Sequence, residues 1–135
     1  MTVLIVDGQG GRLGKQLVKE VRERFPQLSL MAVGTNSMAT ESMLKAGADR
    51  AATGENAVVV ACRKADVIIG PVGIVIADAL LGEVTPAMAK AVGQSDAVRI
   101  LLPSDKCDTF IAGVGSTGMS ALVEDAMEKL ASLLK

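Results

Sequence analysis

A chain of 135 residues, half of them hydrophobic and 21% charged, holds one domain with a real core and is too short for two. Its net charge of −1 gives no field to draw in nucleic acid, and with two Phe and no Trp or Tyr it lacks the stacking platforms such binding uses. There is no His, so any general acid–base chemistry falls to Lys, Arg, Asp, Glu, Ser, Thr or Cys. The cations Arg12, Lys15, Lys19, Arg22 and Arg24 interleave with Glu20 and Glu23, the pattern of a solvated helix face. No secretory signal precedes the first apolar run, and the longest such run, 72–77, falls far short of the ~20 residues a membrane span needs. Cys62 and Cys107 lie far apart, without metal or disulfide spacing. A cytoplasmic protein with no metal, no membrane partner and no nucleic-acid partner is expected.

Residues 3–6 (VLIV) predict a short strand buried on both faces. A glycine cluster follows, and a helix is expected over about 11–24, with Leu17, Val18 and Val21 on its apolar side and Pro26 as its stop. A second strand over 28–33 leads to a helix capped by Asn36 or Ser37, carrying Met38, Met43 and Leu44 and ending at Gly47. A short strand near 49–52 precedes a third helix that Thr53 can cap, although Val58 and Val59 leave a strand open there. After a strand at 67–69 come two short helices, 73–81 and 86–92, the second with Thr85 as cap and Pro86 at its first position. Strands at 98–102 and 110–114 follow, then a helix over 117–134. The order predicts a single-domain α/β fold: a Rossmann-like three-layer sandwich with a mostly parallel sheet.

In such a sheet ligands bind beyond the carboxyl ends of the strands. The first of those ends carries Gly8-Gln9-Gly10-Gly11-Arg12-Leu13-Gly14, which reads as both G-x-x-G-x-x-G and a variant of the dinucleotide fingerprint. Backbone amides there, at the start of a helix, suit a phosphate. A turn that needs glycines and binds nothing is the alternative. Arg12 opposes the helix dipole, a cost that a bound anion would offset, whereas Lys15 reads as an exposed charge. Thr35 and Asn36 stand where a ribose or its 2′-phosphate would lie, with helix capping by Asn36 or Ser37 as the other reading. Gly70 and Pro71 close the fourth strand at the same edge. The predicted cofactor site is therefore Gly8, Gln9, Gly10, Gly11, Arg12, Leu13, Thr35, Asn36, Gly70 and Pro71, and the predicted ligand is NAD(P)(H) or a related small nucleotide.

Other residues invite weaker readings. Asp7 can bind a ribose or a cation, or cap the turn. Glu55 and Asn56 can reach the same cleft. Cys107, beside Lys106, sits on a loop at the ligand edge, but with no His as base it makes a poor nucleophile, and Cys62 reads as core. No catalytic residue is assigned. The apolar segment 73–81, broken only by Asp78, needs partners on more than one side, which predicts a homo-oligomer, a dimer or tetramer, or burial within the monomer.

Two resemblances follow. Gly8–Leu17 (GQGGRLGKQL) resembles the G-x-x-G-R-M-G loop through which dihydrodipicolinate reductases bind NAD(P)H; Gly8, Gly11, Arg12 and Gly14 match, and Leu13 replaces the Met. That similarity covers about the first twenty residues, and nothing here matches the substrate domain, so the reaction does not carry over. Over nearly the whole chain, the segments DGQGG (7–11), GTN (34–36), LKAGAD (44–49), ATGENA (52–57), ADVIIGPVGI (65–74), LGEVTP (81–86) and KC (106–107) are similar to an uncharacterised family of short bacterial proteins. This resemblance implies a Rossmann-like fold and no reaction. The expected function is a nucleotide-binding module without catalysis of its own. The alternatives are a small NAD(P)-dependent oxidoreductase whose site a second subunit completes, and an assembly protein whose glycine turn is purely structural.

Overall fold

The alternation of side chains along the first strand builds both layers of the core. A computed structural model describes residues 1–104 and 108–135, and in it β1 (Thr2–Asp7) sends Val3 and Ile5 into one apolar cluster and Leu4 and Val6 into another, all four buried. Four more strands, β2 (Ser29–Gly34), β3 (Arg50–Thr53), β4 (Val67–Pro71) and β5 (Val98–Leu102), pair in parallel in the order β3-β2-β1-β4-β5. The register sets Asp7 opposite Gly34 and Ile5 opposite Ile69. The chain grows from β1 outward to β3 and then crosses back to β4, so the direction of winding reverses between β1 and β4. That reversal opens a crevice at the carboxyl ends of these two strands.

Helices α1 (Arg12–Arg24) and α5 (Met119–Leu133) cover the first face, joined by Met43 of α2 (Ser37–Ala46). Helices α3 (Glu55–Lys64) and α4 (Pro86–Gln94) cover the second through Val58, Ala61, Cys62, Met88, Ala89 and Val92. The chain is thus a single α/β domain of the Rossmann-like, three-layer class. The expected caps hold at two helices: Asn36 accepts from the Ala39 amide at 2.9 Å, and Thr85 from that of Met88 at 3.1 Å, with Pro86 behind it. Segment 55–64 is a helix, so the strand alternative falls.

Three expectations fail locally. Residues 73–81 form one turn of 3-10 helix, Val72–Val75, and then fold back, with left-handed backbone at Asp78, Leu80 and Leu81. The Asp78 amide donates to the Val84 carbonyl at 2.8 Å, and Ile74, Ala79, Leu80 and Val84 pack on the second face. Most of the apolar segment therefore packs inside the subunit, while Leu81 is left 99% exposed. Residues 110–114 are an exposed loop rather than a strand: Phe110 is 94% exposed, and Gly113, Gly115 and Gly118 interrupt any pairing. Thr53 does not cap α3, whose N-cap is Gly54; its hydroxyl meets that of Thr40 at 2.7 Å.

Candidate functional site

The turn after β1 is held by two carboxylates. Asp7, 6% exposed, accepts the amide of Gly8 through Oδ1 at 2.8 Å and that of Gly14 through Oδ2 at 2.7 Å. It caps the turn and the first turn of α1 together, placing negative charge where the helix dipole favours it. This close seat explains Gly14, since a Cβ there would lie 2.8 Å from the Asp7 Cβ and 2.6 Å from the Met43 Sδ. Gly11, with φ 71° and its absent Cβ facing the Ala39 Cα at 2.8 Å, is the left-handed N-cap of α1.

Glu83, which sequence reasoning passed over, fixes the other side. Its Oε1 accepts from the Gln9 amide at 2.8 Å, the Thr35 hydroxyl at 2.6 Å and the Asn36 side-chain amide at 2.9 Å. Partial burial opposes ionisation, yet the bonds from Thr35, Gln9 and Asn36 together hold its carboxyl below the ordinary value. Asn36 also donates to the Gln9 carbonyl at 2.9 Å. Thr35 and Asn36 are thus committed to the protein, and they do not line the crevice. Gly70 does not line it either: it lies within β4, where a Cβ would strike the Val6 carbonyl at 2.4 Å.

Seven of the ten predicted residues do meet, at one cleft of about 420 Å³: Gly8, Gln9, Gly10, Gly11, Arg12, Leu13 and Pro71. That volume lies at the lower end of the range for small-ligand sites, roughly 300–1,000 Å³. At the turn, the amides of Gly10, Arg12 and Leu13 find no acceptor among the described residues. Gly10 differs from its neighbours, because a Cβ built on it meets nothing within 4 Å. The facing wall comes from the chain between β5 and α5, with Ser104, Thr109, Phe110, Ser116 and Thr117 among its residues. Gly118 caps α5 with no side-chain hydrogen bond, so a second helix starts at the same cleft. A signal for this wall was present in Gly113-Val114-Gly115-Ser116-Thr117-Gly118, a small-residue run just before a helix. Asp7 and Arg12 are the ionisable groups among the described lining residues, and Asp7 is engaged by two amides. The lining combines backbone hydrogen-bond donors with apolar side chains, which suits holding an anion with an apolar body.

The remaining candidates lie elsewhere. Arg12 is exposed at the rim, whereas Lys15, Glu55 and Asn56 are exposed away from the cleft. Cys62 is buried in α3, and loss of solvent pushes its thiol up to about 11, which leaves it protonated and inert at neutral pH. Lys106 and Cys107 lie outside the described residues. Among the described residues no cluster of His, Cys, Asp and Glu can hold a metal ion, and no helix is long and apolar enough to cross a membrane.

Over residues 2–135 the chain matches the family described as domain of unknown function DUF3842, and it belongs to that family. It has no match among curated proteins. Among solved structures it is similar to the dodecameric FMN-dependent UbiX-like decarboxylase of Escherichia coli O157:H7, with 18% identity and a TM-score of 0.49, over 96% of this chain and 75% of that one. A likeness of that size transfers neither cofactor nor assembly.

Proposed function

For this member of the family we propose a binding role: the cleft takes a small phosphorylated nucleotide, with its phosphate on the amides of Gly10, Arg12 and Leu13. The supporting observation is that these three amides lack acceptors among the described residues and belong to residues lining the 420 Å³ cleft, beside the unfilled space at Gly10. Arg12, at the rim, would cover the phosphate, and the bound anion would relieve its unfavourable place at a helix start. Asp7 has already taken the Gly14 amide. The cradle therefore suits one phosphate better than a pyrophosphate, and the ligand is read as a mononucleotide.

NAD(P)(H) is the second reading, favoured by the Gly8-Gln9-Gly10 turn and the β3-β2-β1-β4 strand order. It requires a ribose site beyond β2, where Thr35 and Asn36 are bonded to Glu83, so a dinucleotide would have to displace that carboxylate. Among the described lining residues the ionisable groups are Asp7 and Arg12, and the alternative of an oxidoreductase draws its further groups from a second subunit. A homo-oligomer belongs to this reading, with the open edge of β5 at Val98 as a surface a second copy would cover. A strictly monomeric species in dilute sedimentation would remove it.

The test is a thermal-shift panel of AMP, GMP, FMN, ribose 5-phosphate, NADH and NADPH at millimolar concentration. Mononucleotides should raise the Tm, and Gly10→Val should abolish the shift while leaving the unliganded Tm unchanged. No shift with any ligand would reject the reading. A shift with NADPH alone would favour the dinucleotide.

A further inference from the structure

Resting on the mononucleotide reading, we propose that Phe110 is the stacking platform for a flat heteroaromatic ring, which makes the ligand a ring-bearing nucleotide rather than a plain sugar phosphate. The chain contains two aromatic residues, and the fold uses only one of them. Phe25, at the end of α1, packs against the first apolar cluster. Phe110 is 94% exposed, yet it lines the cleft. A phenyl ring left in water contributes nothing to folding, and this one belongs to the lining of a site that also carries the apolar side chains of Pro71, Leu80 and Leu102.

The lining brings together three kinds of group: backbone amides of Gly10, Arg12 and Leu13 with no acceptor among the described residues, the ring of Phe110 with apolar Pro71, Leu80 and Leu102, and the hydroxyl-bearing Ser116 and Thr117. A nucleotide matches that set, with its phosphate on the amides, its base on Phe110 and its sugar by the hydroxyls. A sugar phosphate uses the amides and hydroxyls and leaves the phenyl face wet. Stacking on one aromatic ring strengthens nucleotide binding by about five- to 150-fold.

Affinities of AMP, FMN and ribose 5-phosphate, measured by calorimetry on the whole chain and on Phe110→Ala and Phe110→Leu, test this. Phe110 supports no core contact, so both variants should fold, as circular dichroism would confirm. In the native chain AMP or FMN should bind about five- to 150-fold more tightly than ribose 5-phosphate. Phe110→Ala should erase that margin and keep ribose 5-phosphate within about twofold of native, and Phe110→Leu should restore less than half of it on a logarithmic scale. A margin unchanged in Phe110→Ala, or fully restored in Phe110→Leu, overturns the stacking role while leaving the phosphate cradle in place. Equal native affinity for all three ligands overturns it likewise. If none of the three binds the native chain, the cradle fails and the ring site fails with it.

Discussion

The two walls of the cleft are built on opposite principles. On the β1–β2 side every special residue answers to the protein itself: Gly8, Gly11 and Gly14 have no room for a Cβ, and Asp7 and Glu83 take the amides of Gly8, Gly14 and Gln9. On the β5–α5 side the described glycines and the start of α5 are unconstrained. Gly115 and Gly118 face open space, residues 110–120 are exposed, and α5 begins without a side-chain cap. A glycine cluster is thus weak evidence for a ligand until its neighbours are known, because close packing and ligand approach demand the same residue. Gly10, on the tight wall yet unconstrained, is the exception that carries the binding proposal.

Substitutions can break this contrast. The largest effect is expected at Gly14, where a side chain must enter the space held by Asp7 and Met43; Gly14→Val should cost about 3 kcal/mol or more in urea unfolding. Glu83→Ala should follow, at about 1–3 kcal/mol, because it strands the Gln9 amide, the Thr35 hydroxyl and the Asn36 side chain. A loss below the error of the measurement would mean that water replaces the carboxylate and that the turn is not pinned there.

The same carboxylate gives a pH signature. Its folded pKa lies below the ordinary value of 4.5, so the ionised form stabilises the fold at any pH above that value. The contribution is lost as pH falls from 4.5 through the lowered folded value. Asp49 behaves alike, held low by the Leu30 amide at 2.8 Å, with Arg22 adding to it against the cost of desolvation. Melting of native and Glu83→Gln protein between pH 3 and 7 should show a shallower acid loss in the variant. Parallel curves would assign the acid sensitivity elsewhere.

The loose wall should barely respond. Gly115→Ala should change stability by less than about 0.5 kcal/mol. Gly118→Ser, supplying the cap that α5 lacks, should add a few tenths, roughly 0.3 kcal/mol. A loss of about 1 kcal/mol at either position would show that this wall is part of the fold after all.

Most of the architecture was legible because its signals are local. Buried runs of four to six residues, the Asn36 and Thr85 caps and Pro86 act within one helical turn or one strand, and they gave the parallel sheet and its helices. Segment 73–81 misled because an apolar run says that a segment is buried and not in what conformation; the return bond from Asp78 to Val84 decided that. Segment 110–114 misled because its apolar residues read as strand, whereas the folded chain leaves them exposed and pairs them with no strand.

The candidate site divides the same way. Its position at the end of β1 and the identity of Gly8–Leu13 follow from the sequence, since strand, turn and helix are consecutive there. Which groups remain available was settled only by tertiary structure. Glu83 reaches Gln9, Thr35 and Asn36 across 74, 48 and 47 residues of chain, removing Thr35 and Asn36 from the cleft, and the wall carrying Phe110 arrives from beyond β5. Periodicity and capping report neighbours within a turn, whereas the satisfaction of a hydrogen-bond donor depends on whichever acceptor the folded chain brings within 3 Å of it.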